Sequence, residues 1–89
     1  MLFRSLLIVR GVPEADVAPI IREVLKIDPR LYVKSHPKGF EVDAPLLHIH
    51  IYASAEDRER AAALVENASE QLRQILISKF GDRVEVSKG

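Results

Sequence analysis

The sequence predicts an α+β domain in which two amphipathic helices cover one side of a four-stranded antiparallel sheet. Three observations lead to this fold class. Segments with the two-residue period of a strand alternate with segments with the 3.6-residue period of a helix. Turn-forming and helix-ending residues separate the segments, so the order of elements is βαββαβ. The chain of 89 residues is long enough for one such core.

The first strand and the first helix are predicted within residues 6–29. Leu6 to Val9 is an apolar, β-branched-rich run that ends before Gly11, which is typical of a buried strand. Pro19 is expected in the first turn of the helix, where its missing N–H is not needed, and it would kink the helix if it lay deeper. Asp28-Pro29 ends the helix, because the residue before a proline disfavours helical angles. The apolar residues of the helix recur at amphipathic spacing: Val17, Ile20, Ile21, Val24 and Leu25.

A polar, basic turn is predicted between the second and third strands. The second strand begins with Leu31-Tyr32-Val33, and the third strand covers Leu46 to Ala53. The segment Lys34–Glu41 between them contains Pro37, which restricts the backbone, and Gly39, which can adopt positive φ. Loops carry binding residues more often than cores do, so this turn is the first candidate for a functional site.

The second helix is predicted from about Ala55 to Phe80, and the last strand from Arg83 to Val86. Ser54 with Asp57 resembles a capping box at the start of the helix, and Gly81 ends it. Such a helix would be about 39 Å long, against about 20 Å for a strand of six residues. Its last turns are therefore expected either to overhang the sheet and meet a partner, or to cover the sheet edge. Its apolar residues keep the helical period: Ala61, Leu64, Val65, Ala68, Leu72, Ile75 and Leu76.

Right-handed connections place both helices on the same side of the sheet, with the first and third strands in its centre. This arrangement is the ferredoxin-like fold, a two-layer α+β sandwich. We expect residues 1–89 to form a single domain of this kind.

The side of the sheet without helices is predicted from the alternation of the third strand. We interpret the polar and aromatic residues on this side as a candidate interaction face, which docks another domain or a second copy of the chain. Alternation puts Leu47, Ile49 and Ile51 under the helices, and Leu46, His48, His50 and Tyr52 on the other side, together with Leu6, Ile8, Tyr32 and Lys34 of the neighbouring strands.

Two other uses of this side compete with docking. His48 and His50 point the same way and could share a metal ion with His36 or Glu85, but the sequence offers no third ligand on the same strand. Aromatic residues on such a sheet also occur in RNA-binding domains, but the chain lacks their K/R-G-F/Y-G/A-F-V-x-F/Y signature. We therefore predict neither a metal site nor nucleic-acid binding.

The composition disfavours several classes of function. Lys plus Arg (13) equals Asp plus Glu (13), so no net charge attracts the chain to nucleic acid or to a membrane surface. The chain has no cysteine, which excludes disulfides, thiol catalysis and thiolate metal sites. It has no apolar run of the roughly 20 residues that span a bilayer, and the cytoplasm is the predicted location. Known catalytic motifs are lacking, so we predict no catalytic residue and no cofactor.

The predicted turn offers one candidate ligand site. Lys34, His36 and Lys38 would bring positive charge together, and Gly39 would let backbone N–H groups approach a phosphate or a carboxylate. The alternative is a solvated hairpin connection without a ligand. A second anion-binding element is not found, because the single glycine before the first helix, Gly11, is no phosphate-binding fingerprint.

Two segments of the chain resemble a known family. The first is Phe3 to Leu25, read as a strand, then Gly11-Val12-Pro13-Glu14, then a helix. The second is Tyr32-Val33-Lys34-Ser35-His36-Pro37-Lys38-Gly39. Together they resemble the small, KH-type domain of CinA-type competence/damage-inducible proteins, with the archaeal molybdopterin-binding-like members most similar. The chain lacks the G-x-x-G clamp of RNA-binding KH domains.

The resemblance implies an auxiliary domain that is a fragment of a larger protein. In that family the small domain accompanies a larger α/β domain that resembles molybdopterin-biosynthesis proteins, to which nucleotide pyrophosphatase activity is attributed. Bacterial members can add a nicotinamide-mononucleotide deamidase domain. We therefore expect a non-catalytic accessory domain that assists domain assembly or oligomerisation, with the larger domain or a second copy as its partner.

A small-ligand sensor of the ACT type is the alternative, since the same order of elements builds amino-acid-binding regulatory dimers. Gly11 at the end of the first strand is compatible with it. Ligand screening would separate the two functions, because a ligand at 100 times its Kd raises the free energy of unfolding by about 2.7 kcal/mol.

Overall fold

The computed structural model describes residues 1–41 and 44–89 of the chain. Its elements follow the predicted order βαββαβ, and a 3-10 turn links the second helix to the last strand. The elements are β1 (Leu2–Arg10), α1 (Glu14–Leu25), β2 (Leu31–Glu41), β3 (Ala44–Ser54), α2 (Arg58–Phe80), the 3-10 turn (Gly81–Arg83) and β4 (Glu85–Lys88).

The four strands form one antiparallel sheet in the order β2-β3-β1-β4, with β1 and β3 in the centre as predicted. β1 pairs with β3 along its whole length, from Leu2 to Arg10. On its other side β1 pairs with β4 only between Leu7 and Arg10. The sheet therefore has a long edge at β2 and an incomplete edge at β4.

Both helices lie on the same side of the sheet and enclose one apolar core. The predicted alternation of β3 is confirmed, since Leu47, Ile49 and Ile51 are almost completely buried. β1 adds Leu7 and Val9 to the same side. Burying one such side chain contributes about 1.5–3 kcal/mol, so a register slip that exposed this set would be strongly disfavoured. The helices contribute the facing residues Val17, Ile20, Ile21, Val24, Val65, Ala68, Leu72 and Leu76.

Pro19 lies deeper in α1 than expected, at the sixth residue of the helix rather than in its first turn. A proline at this position has no N–H to donate to the carbonyl of Ala15. Both residues lie on the exposed side of α1, so water can reach that carbonyl. The buried side of the helix, which includes Val17 and Val24, holds α1 on the sheet despite the missing hydrogen bond.

The prediction of a turn over Lys34–Glu41 is wrong, because this segment continues β2. β2 is an edge strand, where Pro37 can be accommodated without loss of a bond between two inner strands. The pairing with β3 shifts between Pro37 and Phe40, and Gly39 adopts φ +82° within this irregularity. Pro and Gly therefore mark a bulge in an edge strand. The connection from β2 to β3 lies outside the described residues.

α2 begins later than predicted, because its N-cap is Asp57 and not Ser54. The side chain of Asp57 accepts a hydrogen bond from the backbone N–H of Arg60 at 2.9 Å, which satisfies one of the free donors of the first turn. Ser54 is the last residue of β3. Gly81 follows the helix as predicted, with φ +55°.

α2 and the central strands have similar lengths, so the expected overhang of α2 is not found. The 23 residues of α2 span about 35 Å, and the 11 residues of β3 span about 36 Å. The overhang was predicted from a strand of six residues, which is too short. Leu72 and Leu76 in the last turns of α2 are completely buried. The end of α2 therefore covers the sheet.

β4 is Glu85–Lys88 and not residues 83–86 as predicted, because Arg83 belongs to the preceding 3-10 turn. This turn packs against the end of β1 at Gly11, which has φ +103°. A Cβ atom on Gly11 would lie 2.0 Å from the carbonyl oxygen of Arg83. The two backbones can approach so closely only because position 11 is a glycine.

Candidate interaction surface

The side of the sheet opposite the helices, which we name the open face, carries most of the residues that the sequence singled out. As alternation predicted, Tyr32, His48, His50 and Tyr52 all lie on it, and whether they bind a partner stays a prediction. The strand register assigns to the open face Arg4, Leu6, Ile8 and Arg10 of β1, Tyr32, Lys34 and His36 of β2, Leu46, His48, His50 and Tyr52 of β3, and Glu85 and Ser87 of β4.

Aromatic and imidazole rings form a contiguous group on β2 and β3. The ring centroids of Tyr32 and Tyr52, which lie opposite each other, are 5.9 Å apart. The ring of His50 stacks against Tyr52 at 6.3 Å and meets His36 edge to face at 5.5 Å. The Lys34 Nζ atom lies 5.8 Å from the centre of the Tyr32 ring. Such contacts stabilise neighbouring rings by about 0.5–1.5 kcal/mol per pair and give the group a defined shape.

His50 lies at the centre of this group, between Leu6 on β1 and Lys34 on β2. Its Nδ1 atom is buried, and no described residue provides a hydrogen-bond partner for it. Burial lowers the pKa of His50 below its usual value of 6.5, so the ring is largely neutral at pH 7. Nearby positive groups lower the pKa further, in the order His36, Arg4, His48 and Lys38.

The open face carries an excess of positive charge. Arg4 and Lys34 lie on it, and Lys38 is close enough to affect the pKa of its central histidine. Among its described side chains the carboxylate is Glu85, whose Oε1 atom is 2.9 Å from Nη1 of Arg10. The open face therefore suits an anionic partner.

The four residues of the candidate anion site are not in a loop. Lys34 and His36 belong to β2 and lie on the open face, with His36 opposite His48. Lys38 and Gly39 lie in the irregular part of the strand, where Gly39 has the positive φ that the sequence predicted. The pairing with β3 is interrupted at Lys38 and Gly39 and resumes at Phe40. Anion binding at this place stays a prediction.

Arg4 is a member of the open face that the sequence analysis did not identify. The predicted strand began at Leu6, whereas β1 begins at Leu2 and places Arg4 opposite Tyr52. The available signal was the alternation of Arg4, Leu6 and Ile8, which extends the strand before its apolar run.

A shallow cavity of about 320 Å³ lies at one end of the open face. It is lined by residues that include Leu2, Tyr32, Lys34 and Tyr52. Leu2 is 66% exposed and Tyr32 is 54% exposed. Exposed apolar and aromatic groups that lie together are typical of surfaces that contact other molecules.

The described residues contain no group of three or more His, Asp or Glu side chains that could hold a metal ion. His36, His48 and His50 share the open face, but the contact between His36 and His50 is a ring-packing contact at 5.5 Å. Neither helix of the described residues is long and apolar enough to cross a membrane.

The sequence is similar to longer archaeal proteins, and no family model matches it. Protein PAE0875 of Pyrobaculum aerophilum is 63% identical over 82 residues, which cover 92% of this chain and 31% of that protein. A protein of Pyrobaculum arsenaticum is 65% identical over 83 residues, covering 93% of this chain and 31% of its own length. A protein of Aeropyrum pernix is 44% identical over 64 residues, which cover 72% of this chain and 24% of that protein. The chain thus spans about a third or less of the curated relatives it matches.

Two designed proteins are among the solved structures similar to this chain. The de novo designed protein Foldit4 has a TM-score of 0.70 and 16% identity, with 100% of this chain and 97% of that chain covered. The designed protein LFR1, which has a ferredoxin fold, has a TM-score of 0.50 and 16% identity, with 98% of this chain and 83% of that chain covered. At this identity the likeness concerns the fold alone, and it confirms the predicted ferredoxin-like α+β sandwich.

Proposed function

We propose that this chain is a non-catalytic accessory domain that docks through its open face onto a larger, CinA-like and molybdopterin-binding-like domain of the same protein. The observation that carries this proposal is the open face itself. It combines a group of aromatic and imidazole rings with an excess of positive side chains, and neither described helix covers it. Docking would assist domain assembly or the orientation of a nucleotide-processing partner.

The chemistry of the open face specifies the partner surface. The exposed ring of Tyr32 and the half-buried ring of Tyr52 supply apolar contact area at low entropic cost, which is typical of the centre of a protein interface. Arg4 and Lys34 favour carboxylates on the other side. The expected partner surface is therefore apolar in its centre and acidic at its rim.

The length of the relatives supports the same proposal. This chain corresponds to 31% of Protein PAE0875, so most of that protein is available as a partner for the matching segment. A domain of this size has one broad uncovered surface, because the helices occupy the other side of its sheet.

The direct test is nuclear magnetic resonance mapping. The labelled 89-residue chain is mixed with the remainder of Protein PAE0875, produced as a separate protein. We expect the amide signals of His48, His50 and Tyr52 to shift, and those on the exposed sides of α1 and α2 to stay in place. Shifts confined to the helices, or no binding at about 1 mM, would contradict the proposal.

A pair of matched double variants tests which surface binds. Tyr32→Ala with Lys34→Ala removes an exposed ring and a cation from the open face, and should weaken binding about tenfold or more. Ile77→Ala with Lys79→Ala removes an exposed apolar group and a cation from α2, and should leave the affinity unchanged. Equal losses in both variants would contradict docking through the open face.

The ACT-type alternative has less support at the residue level. Gly11 was the residue compatible with it, and the close approach to the carbonyl of Arg83 accounts for that glycine without a ligand. A thermal-shift screen with free amino acids and nucleotides remains its test, since a ligand at 100 times its Kd adds about 2.7 kcal/mol.

A further inference from the structure

The outer edge of β2 has no described strand beside it. β2 lies at one end of the sheet order and pairs with β3 on its inner side. In the chain it stands between α1 and β3, so its position at the edge follows from the topology of the sheet. What this edge can bind depends on which backbone groups face outward and on the side chains beside them.

The strand register decides the direction of the backbone groups in β3. The backbone N–H of Gly11, directly after β1, donates to the carbonyl of Pro45 at 2.9 Å, so Pro45 directs its backbone groups toward β1. Alternate residues of a strand direct these groups to opposite edges. His48 and His50 therefore direct theirs toward β2.

The same alternation continues in β2. Lys34 pairs with His50, so the backbone groups of Lys34 face β3. Val33 and Ser35, on either side of it, direct their N–H and C=O groups outward, and no hydrogen bond of the described residues engages these two N–H groups. Pro37 falls on the same outward side, where its missing N–H removes no bond to β3. An outward row of this kind is a template for strand addition.

The side chains along this edge favour an acidic strand. Lys34 and Lys38 are exposed, and neither takes part in an ion pair of the described residues. His36 is also exposed, and its ring N–H can donate to a carboxylate. Side chains directly opposite each other in an antiparallel pair are about 4.5–5.5 Å apart at Cβ, so opposite charges there stabilise the pair. An added strand therefore gains from carboxylates opposite Lys34 and His36.

The same side chains disfavour a second copy of the chain at this edge. Two β2 strands paired about a twofold axis at Lys34 would place two ammonium groups opposite each other. An axis at Ser35 would place Lys34 opposite the partner's His36. Pro37 in addition has no N–H to give to a partner strand. Lysine and proline protect edge strands from self-association, whereas an acidic strand turns the charge repulsion into attraction.

The helix side of the edge specifies two further positions of the added strand. Val33 is half-buried and packs against the core, so the position opposite it favours an apolar side chain. The hydroxyl of Ser35 donates to Oε2 of Glu14 in α1 at 2.5 Å. The position opposite Ser35 therefore lies near a carboxylate and favours an uncharged polar side chain.

We propose that the outer edge of β2 at residues 33–37 binds an acidic strand of the larger partner domain. The strand adds antiparallel to β2, with carboxylates opposite Lys34 and His36 and an apolar side chain opposite Val33. The identity of the partner rests on the proposed function, in which the rim of the open face meets acidic groups. The addition of a strand names the element of the partner that supplies them.

The first experiment tests the edge without the partner domain. The full chain is extended after Gly89 by a flexible Gly/Ser linker of about 20 residues, which spans about 25 Å, and by the strand Thr-Glu-Thr-Glu-Val-Thr. The tether keeps the strand at a millimolar effective concentration. Amide hydrogen exchange of Val33 and Ser35 is expected to slow at least about tenfold relative to the unextended chain. Exchange of Lys34, whose N–H faces β3, should stay unchanged.

Two control strands separate charge from backbone pairing. Thr-Lys-Thr-Lys-Val-Thr reverses the charge, and Thr-Glu-Pro-Glu-Val-Thr lacks the N–H that would donate to the carbonyl of Ser35. Both should protect Val33 and Ser35 less. Lys34→Glu in the domain should shift the preference toward the lysine strand. Equal protection by the three strands, no protection by any of them, or slow exchange of Val33 and Ser35 already in the unextended chain would overturn the proposal.

The second experiment adds the remainder of Protein PAE0875 to the unextended chain. Binding should slow the exchange of Val33 and Ser35 at least about tenfold and shift the signals of His48, His50 and Tyr52. Shifts on the open face without protection of Val33 and Ser35 would overturn strand addition and leave the proposed docking intact. No binding at about 1 mM would overturn the proposed docking, and with it the assignment of the strand to that partner.

Discussion

Gly11 makes close backbone contacts with chain segments on both sides of β1. The residue follows β1 and has φ +103°, a region that side-chain-bearing residues rarely adopt. Its Cα faces the carbonyl of Arg83 in the turn before β4, and the backbone N–H of Gly11 donates to the carbonyl of Pro45 at 2.9 Å. A single position therefore ties the end of β1 to the start of β3 and to the turn before β4.

Gly11→Ala is predicted to destabilise the fold by about 3 kcal/mol or more, because it adds a steric clash to an unfavourable φ. Gly39→Ala is the matched control, since Gly39 has φ +82° but no described atom lies within 4 Å of the added Cβ. The control should cost only about 1–2 kcal/mol. Urea unfolding of both variants measures the difference, and equal losses would show that the contact with Arg83 is unimportant.

His50 makes the stability of the chain depend on pH. Its pKa in the folded state is below 6.5, chiefly because of burial, so the unfolded chain binds this proton more readily. The contribution of neutral His50 to the free energy of unfolding should therefore be complete above about pH 6.5. It should be lost as the pH falls through the pKa of His50 in the folded state. The groups that face the ring and reinforce this effect are His36, Arg4, His48 and Lys38.

The prediction for His50 is checked by proton titration of its Cε1–H resonance, whose midpoint should lie below 6.5. His50→Gln removes the titrating group, so it should lose less stability than the parent chain between about pH 7.5 and about pH 5.5. His36→Gln serves as a comparison, because it removes a neighbouring charge and should raise the midpoint of His50. A midpoint of His50 at or above 6.5 would refute the assignment.

For the helices and strands, the periodicity of apolar residues predicted more than the local turn and cap signals did. The apolar periods of α1, α2 and β3 identified the core residues correctly, because burial of these side chains dominates the energy of the fold. The errors lie at turn and cap signals. Pro37 and Gly39 were read as a turn, and Ser54 was read as an N-cap, because proline, glycine and serine have similar local preferences at strand edges and in loops.

The start of α2 gives a prediction at this scale. Asp57→Ala should destabilise the fold by about 1 kcal/mol, because the backbone N–H of Arg60 loses its side-chain acceptor. Ser54→Ala should change the free energy of unfolding by less than about 0.5 kcal/mol, since Ser54 is an exposed residue at the end of β3. Chemical denaturation measures both. A larger effect of Ser54→Ala would show that Ser54 stabilises the start of α2, as the sequence predicted.

The described open face carries more positive than negative side chains. The chain is formally neutral, yet Arg4, Lys34 and Lys38 contribute positive charge at the open face, where the described carboxylate Glu85 is paired with Arg10. Such an arrangement orients the domain toward an acidic partner even without net charge. Composition alone could not show this, because it counts charges without their positions.

A salt titration tests whether the positive charge of the open face contributes to docking. If the domain docks as proposed, raising the salt from about 0.05 M to about 0.5 M should weaken its affinity for the remainder of Protein PAE0875 several-fold, because exposed charges are screened. Arg4→Gln with Lys34→Gln should weaken binding at low salt and reduce this salt dependence. Arg22→Gln in α1 with Lys26→Gln at the C-cap of α1 is the control, and it should preserve both the affinity at low salt and its salt dependence. Salt-independent binding by the parent chain would contradict an electrostatic contribution.

The order of elements, the single core and the buried side of the third strand were all predictable from the sequence pattern. These features follow from local periodicity and from the burial of apolar side chains, which are readable along one chain. Which residues of different strands share a surface is known only once the strands are paired. Pairing brings Arg4 beside Tyr52 and makes residues 34–41 part of an edge strand. Register and strand length depend on pairing between distant segments, and a pattern within one segment does not contain that information.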